Sequence, residues 1–135
     1  MKKGVFLGVL LLTLLAMPLR VNARTEYSEI ELLERVVEAE AGNQGLMGKR
    51  LVVAVIYNRV ESDKFPNTIQ GVLTSPHQFG PVWTGAVDKV TVSDETRSAI
   101  QLEISQRSDS EILYFNNGPC SGKFAYTYKG HSFGK

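Results

Sequence analysis

Residues 28–60, SEIELLERVVEAEAGNQGLMGKRLVVAVIYNRV, decide the fold. Ser28-Glu29-Ile30-Glu31 is a capping box, with Ser28 as N-cap and Glu31 at the third helical position. The helix it opens is expected to run to about Ala41, where Gly42-Asn43 supplies a stop. Leu46 to Val60 follows, apolar nearly all round through Leu51, Val52, Val53, Ala54, Val55 and Ile56. Its length and polar ends favour a buried helix over a buried strand.

C-terminal to this pair, Asp63–Asn67 reads as a loop, Thr68–Thr74 as a short helix and Ser75-Pro76 as its end. His77–Val92 is irregular and rich in Gly and Pro. Ser93-Asp94-Glu95 caps a third sizeable helix reaching about Gln106. Then the period changes. Ile112–Phe115 and Phe124–Tyr128 read as strands around Asn116-Asn117-Gly118-Pro119, and His131–Phe133 as a third, short one. On the second strand, Phe124, Tyr126 and Tyr128 are expected to share one face. Helices first and strands last make an α+β fold with a small C-terminal antiparallel sheet.

At the other end, Met1-Lys2-Lys3 precedes an apolar run from Val5 to Met17, then Pro18 and Val21-Asn22-Ala23. This is the pattern of an export signal with small residues before the cut. The run is too short to cross a bilayer comfortably, which takes about 20 residues. The expected organisation is a signal peptide over 1–23 and one domain over 24–135, exported and without a stable membrane anchor after cleavage. Without Lys2, Lys3 and Arg20, 12 basic residues face 14 acidic ones and the net charge moves from +1 to −2. That argues against a sequence-independent nucleic-acid binder, which must neutralise many phosphates. The lone Cys120 excludes an internal disulfide, zinc fingers and knottin-like scaffolds.

One acid stands out on the first helix. With Leu33 at zero and 100° per residue, Glu31, Glu34 and Glu38 fall between about 100° and 160°, on the polar side. Glu40 falls near about −20°, inside the apolar stripe and between Ala39 and Ala41. A carboxyl held against apolar surface has its pKa raised and can serve as a general acid. Two plainer readings stand beside this one: a last turn pointing to water, or a buried acid satisfied by Arg35, Arg50 or Arg59.

Other reactive groups give weaker patterns. Cys120 with His131 is formally a thiol peptidase pair, but a Pro-Cys-Ser-Gly turn does little to lower a thiol pKa. His77 and His131 lie 54 positions apart with no spaced acids, so no metal and no cofactor are expected. The aromatics after residue 78, among them Phe79, Trp83 and Tyr114, suit either core positions or a sugar-binding groove.

Taken in order, Ala39-Glu40-Ala41, Gly48, Val52–Val60, Lys64–Ile69, Gln78-Phe79-x-Pro81-Val82-Trp83, Leu113–Asn116 and Gly130-His131-x-Phe133 resemble the SleB-type cell-wall hydrolases. This family includes the catalytic domain of spore cortex-lytic enzymes. The resemblance covers roughly residues 30–134. It implies a lysozyme-like α+β fold acting on the glycan strands of peptidoglycan, between N-acetylmuramic acid and N-acetylglucosamine. It also implies that Glu40 is the catalytic acid. After Ala41 the chain departs from the commoner family pattern: Gly42-Asn43-Gln44 stands where Arg-Gly-Glu is usual, so position 44 carries an amide.

No second acid occupies a matched motif; Asp63, Asp88 and Asp94 read as loop or cap residues. A hydrolase needs a second carboxylate, whereas a lytic transglycosylase lets the substrate's own 6-hydroxyl attack while one carboxyl acts as acid and then base. The expected activity is therefore a lytic transglycosylase, working as a monomer. Gln78, Phe79, Trp83, Tyr114, Asn116 and His131 are the expected substrate-binding residues. A Cys–His peptidase on the peptide cross-links and a non-catalytic glycan-binding module are the alternatives.

Overall fold

The computed structural model describes residues 26–135; the expected export signal over 1–23 lies outside them. The capping box forms as read: Ser28 Oγ accepts from the Glu31 backbone N–H, and Ser28 N–H donates to the Glu31 carboxylate. It starts α1 (Glu29–Ala41), whose buried stripe is Leu32, Leu33, Val36, Val37 and Ala41. After a three-residue corner, α2 runs Gly45–Glu61. Gly45 takes φ 73°, which a side chain would resist, and Gly48 lies under the Tyr128 ring. Leu51 to Ile56 are all buried, as expected of a buried helix.

Helix α2 separates two apolar clusters. On one side Val52, Val53 and Ile56 join the stripe of α1 with Val72, Leu73, Phe79 and Ile100. On the other, Leu51, Ala54 and Val55 meet Ile112 and Phe133. Phe115 packs against both. Each such aliphatic or aromatic side chain, once buried, contributes about 1.5–3 kcal/mol. This one element therefore ties the helical half to the sheet.

The shorter elements are α3 (Ile69–Leu73), capped by Thr68, and α5 (Asp94–Ser105), capped by Ser93. Between them the stretch read as irregular holds a one-turn helix, α4 (Gly80–Thr84), and a 3₁₀ turn at Ala86–Asp88. Pro81 opens α4, where a missing N–H costs nothing, and Gly85 at φ 78° ends it. The Gly and Pro that suggested a loop are the start and stop of a short helix.

Strands β1 (Tyr114–Asn116), β2 (Phe124–Tyr128) and β3 (His131–Gly134) form an antiparallel sheet in the order β1-β3-β2. The fold class is α+β as expected. Two details differ. Ile112 and Leu113 precede β1 instead of belonging to it, because Ile112 is buried with its carbonyl accepting from Asn58. A register shift between Phe124 and Tyr126 breaks the alternation. Phe124 is 60% exposed, while Tyr126 and Tyr128 pack on the sheet-side cluster.

Candidate active site

Glu40 lies on the last turn of α1, half-buried, one turn beyond the buried Val36 and Val37. Burial pushes its carboxyl above the ordinary carboxylate value, and no neighbouring charge contributes. The three arginines that were candidate partners are engaged elsewhere. Arg35 donates to the carbonyls of Val87 and Val90, Arg50 to Glu103 and the Gln106 carbonyl, and Arg59 to the Leu113 carbonyl and Gln78. Among the described residues no side chain donates a hydrogen bond to Glu40.

Glu38, on the polar side of the same turn, has the opposite surroundings. Its carboxylate accepts from Ser93 N–H at 2.9 Å, Ser93 Oγ at 2.8 Å and the Thr96 hydroxyl, with Lys49 Nζ at 4.0 Å. Burial would raise its pKa, but these bonds and the lysine outweigh it and hold the group below the ordinary value. The clamp pins the end of α1 to the start of α5. Two acids on one helical turn are thus shifted in opposite directions, Glu38 by a structural clamp that favours its anion and Glu40 by burial that favours its proton.

A cleft of about 510 Å³ opens between the end of α2 and β1. Gln78, Tyr114 and Asn116 all line it, so the structure brings these three candidates together. Gln78 is oriented by Arg59, whose Nη1 donates to its side-chain oxygen at 3.2 Å, leaving the amide N–H groups for a ligand. The Tyr114 ring is flanked by Phe65 and by the Arg59 guanidinium, 5.8 Å from its centroid. Asn116 is committed to its own turn: its Nδ2 donates to the Pro119 carbonyl and its Oδ1 accepts from Asn117 N–H. It shapes the cleft wall more than it offers free donors.

The other three candidates sit differently. Phe79 is fully buried in the helical core, which corrects its assignment as a substrate contact: no surface remains for a sugar to touch. Trp83 is 48% exposed, stacks beside His77 and faces a different hollow of about 610 Å³, bordered by Tyr27, Leu32 and Asp88. That hollow is the larger, and Glu40 lines neither it nor the cleft that holds Gln78, Tyr114 and Asn116. His131 is only 3% exposed, between the rings of Phe115 and Phe133, and its Nδ1 has no hydrogen-bond partner among the described residues. Burial lowers its pKa and favours the neutral ring.

Cys120 and His131 are not brought together. Cys120 Sγ lies against Gly134, the far end of β3 from His131, three residues or about 10 Å of strand away. Arg59 and Lys64, by contrast, line the cleft and were not singled out as ligand-binding. The available clue was a cation closing the apolar run of α2.

Fold and site together define a lysozyme-like α+β domain, with an unpaired acid ending its first long helix and a polar cleft along its small sheet. Two solved catalytic domains share this architecture. That of the germination-specific lytic transglycosylase SleB from Bacillus anthracis matches at TM-score 0.71 and 27% identity, covering 82% of this chain and 98% of that one. The catalytic domain of Bacillus cereus SleB matches at TM-score 0.70 and 28% identity, covering 86% and 98%. The chain belongs to the cell wall hydrolase family, whose model matches residues 43–133; Glu40 stands just ahead of that stretch. It is 31% identical to a spore cortex-lytic enzyme of Bacillus cereus over 110 residues, 78% of this chain and 42% of that protein. It is 33% identical to the spore cortex-lytic enzyme of Bacillus subtilis over 91 residues, 66% of this chain and 30% of that one. The chain thus spans less than half the length of these curated relatives.

Proposed function

We propose that this protein is a peptidoglycan lytic transglycosylase that cleaves glycan strands between N-acetylmuramic acid and N-acetylglucosamine, with Glu40 as its single acid and base. The observation that carries this reading is the state of Glu40: half-buried on the core side of α1, unpaired, and raised in pKa by burial alone. A protonated carboxyl there donates to the glycosidic oxygen as positive charge grows on the sugar. The carboxylate left behind then takes the proton of the 6-hydroxyl, whose oxygen attacks the anomeric carbon and closes the 1,6-anhydro ring. No water is consumed. A hydrolase would need a second carboxylate flanking the scissile bond. Glu38, the acid nearest to Glu40 in the chain, is held by Ser93, Thr96 and Lys49, which supports the one-acid scheme. Gln78 and Tyr114, in the cleft along the sheet, supply polar groups for a part of the glycan strand away from the bond being cut. Work on the wall requires export, which the segment 1–23 provides in this reading.

The test is mass spectrometry of the fragments released from purified peptidoglycan by the protein and by Glu40→Gln. Anhydromuramyl ends, absent with the variant, are the expected result. Reducing ends, heavier by one water, would make water the nucleophile and refute the transglycosylase step. Binding with no fragments from either protein would refute catalysis.

A further inference from the structure

Two cations are buried among the described residues, Lys49 and Arg59, and the fold treats them differently. Lys49 is surrounded by carboxylates, with Glu95 at 3.1 Å and Glu38 at 4.0 Å. Arg59 is 5% exposed, and among the described residues no carboxylate lies within ion-pair distance of it. Its Nε donates to the Leu113 carbonyl at 2.7 Å and its Nη1 to the Gln78 oxygen at 3.2 Å. The rings of Phe65, Phe79 and Tyr114 surround it at 4.8, 5.5 and 5.8 Å. These partners are all neutral. They solvate the guanidinium and fix its plane, but they leave its full positive charge in place.

Burying an ion without an opposite charge costs several kcal/mol. Here the uncompensated charge borders the cleft, and Nη2 makes no hydrogen bond among the described residues yet is not sealed from solvent. Lys64, exposed and also outside any ion pair among the described residues, lines the same cleft. We infer that this cleft is a carboxylate-binding subsite, in which Arg59 and Lys64 supply the charge while Gln78 and Tyr114 flank the bound group. A guanidinium held edge-on by Leu113 and Gln78 presents its remaining N–H groups as a fork, the geometry that grips a carboxylate through both oxygens.

The inference rests on the glycan-cleaving reading above and extends it. Peptidoglycan carries carboxylates on its stem peptides, and on the lactyl groups of muramic acid wherever no peptide is attached. Arg59 lies fourteen residues beyond Gly45 on α2, about 20 Å along the helix axis. Glu40 stands beside the opposite end. The carboxylate read by Arg59 therefore belongs to a part of the strand away from the bond being cut. It acts as an anchor that contributes binding energy from a distance.

The experiment is co-sedimentation of the non-cleaving Glu40→Gln protein with insoluble peptidoglycan in three forms: native, with all carboxylates amidated, and with stem peptides removed by an amidase. Amidation is expected to weaken binding about tenfold or more, as loss of a buried charge partner does. Lys64→Ala, an exposed change, is expected to weaken binding to the native form several-fold and to leave binding to the amidated form unchanged. Amidase cleavage exchanges the stem-peptide carboxylates for a free lactyl carboxylate, so binding that survives it shows that the subsite accepts the lactyl group, and binding lost with the peptides assigns theirs. Arg59→Lys, checked by thermal melting, tests the fork directly; if it fails to fold, Lys64→Ala and amidation still decide. Equal binding to native and amidated forms overturns the subsite. Fragment release by the unmodified protein from the same native preparation is scored separately. Fragments with no effect of amidation sink the subsite alone, and no fragments sink the glycosidase reading.

Discussion

Glu38 and Glu40, two positions apart on the last turn of α1, are driven in opposite directions by their surroundings. Thr96, Ser93 and Lys49 hold Glu38 ionised against its own burial, while burial with no partner favours the proton on Glu40. The pair makes the pH behaviour of the protein separable residue by residue.

Glu40→Gln should abolish fragment release, by at least about 100-fold, because a general acid and base contributes about 10²–10⁴ in rate. It should not destabilise the fold. A carboxyl whose folded pKa is raised favours folding while protonated, and that advantage is lost as pH rises from 4.5 through the raised value. At neutral pH the amide is therefore equal or better. Melting curves of both proteins from pH 4 to 8 check this: the variant should match the parent in acid and equal or exceed it at pH 7. In the parent, kcat should fall as pH rises through the same raised value.

Glu38→Ala should behave in the reverse sense. It removes three hydrogen bonds to the start of α5 and one of the two carboxylates near buried Lys49. The expected loss at pH 7 is about 2–4 kcal/mol. Because Glu38 has a lowered folded pKa, its contribution is present above about 4.5 and disappears as pH falls through the folded value. The difference between parent and variant, read by chemical denaturation, should shrink in acid.

His131→Phe should leave stability at pH 7 unchanged or raised by about 1 kcal/mol, since it replaces a buried nitrogen lacking a partner by an apolar ring between Phe115 and Phe133. The histidine pKa is lowered by burial, so the parent loses stability as pH drops below about 6.5. The variant should lose less. Unfolding curves at pH 5 and 7 distinguish the two.

Phe79→Ala and Trp83→Ala should separate core from surface. Phe79 is fully buried, and its truncation should cost about 3–5 kcal/mol. Trp83 is 48% exposed and should cost under about 1 kcal/mol. Thermal melts of the two variants report the difference. Cys120→Ser, far from Glu40 in sequence and set against Gly134, should release fragments within about twofold of the parent rate.

Much of this was legible in the sequence because the signals were local. Ser28 and Glu31 cap one another three positions apart, Gly45–Glu61 announces its burial by a continuous apolar run, and helical phase sets Glu40 on the apolar side of α1, where it is half-buried. What stayed hidden was set by contacts between distant residues. Arg59 meets Gln78 and Leu113 only after α2 has packed on the sheet, and nothing at position 59 alone says that its charge goes unanswered. Phe79 suits a core or a groove equally in the sequence, and only the packing of the segment before α4 decides for the core. Phe124 was misread because a register shift is a property of two strands, not of one.

Both β1 and β2 pair only with β3, which comes after them in the chain. During synthesis, then, a chain halted before residue 131 can hold its helices but has no template for either ladder. The wall that carries Tyr114 is the last part to be assembled, and the long span between β1 and its partner slows that step relative to helix formation. A nascent chain therefore lacks the paired sheet wall of the cleft until β3 has been made.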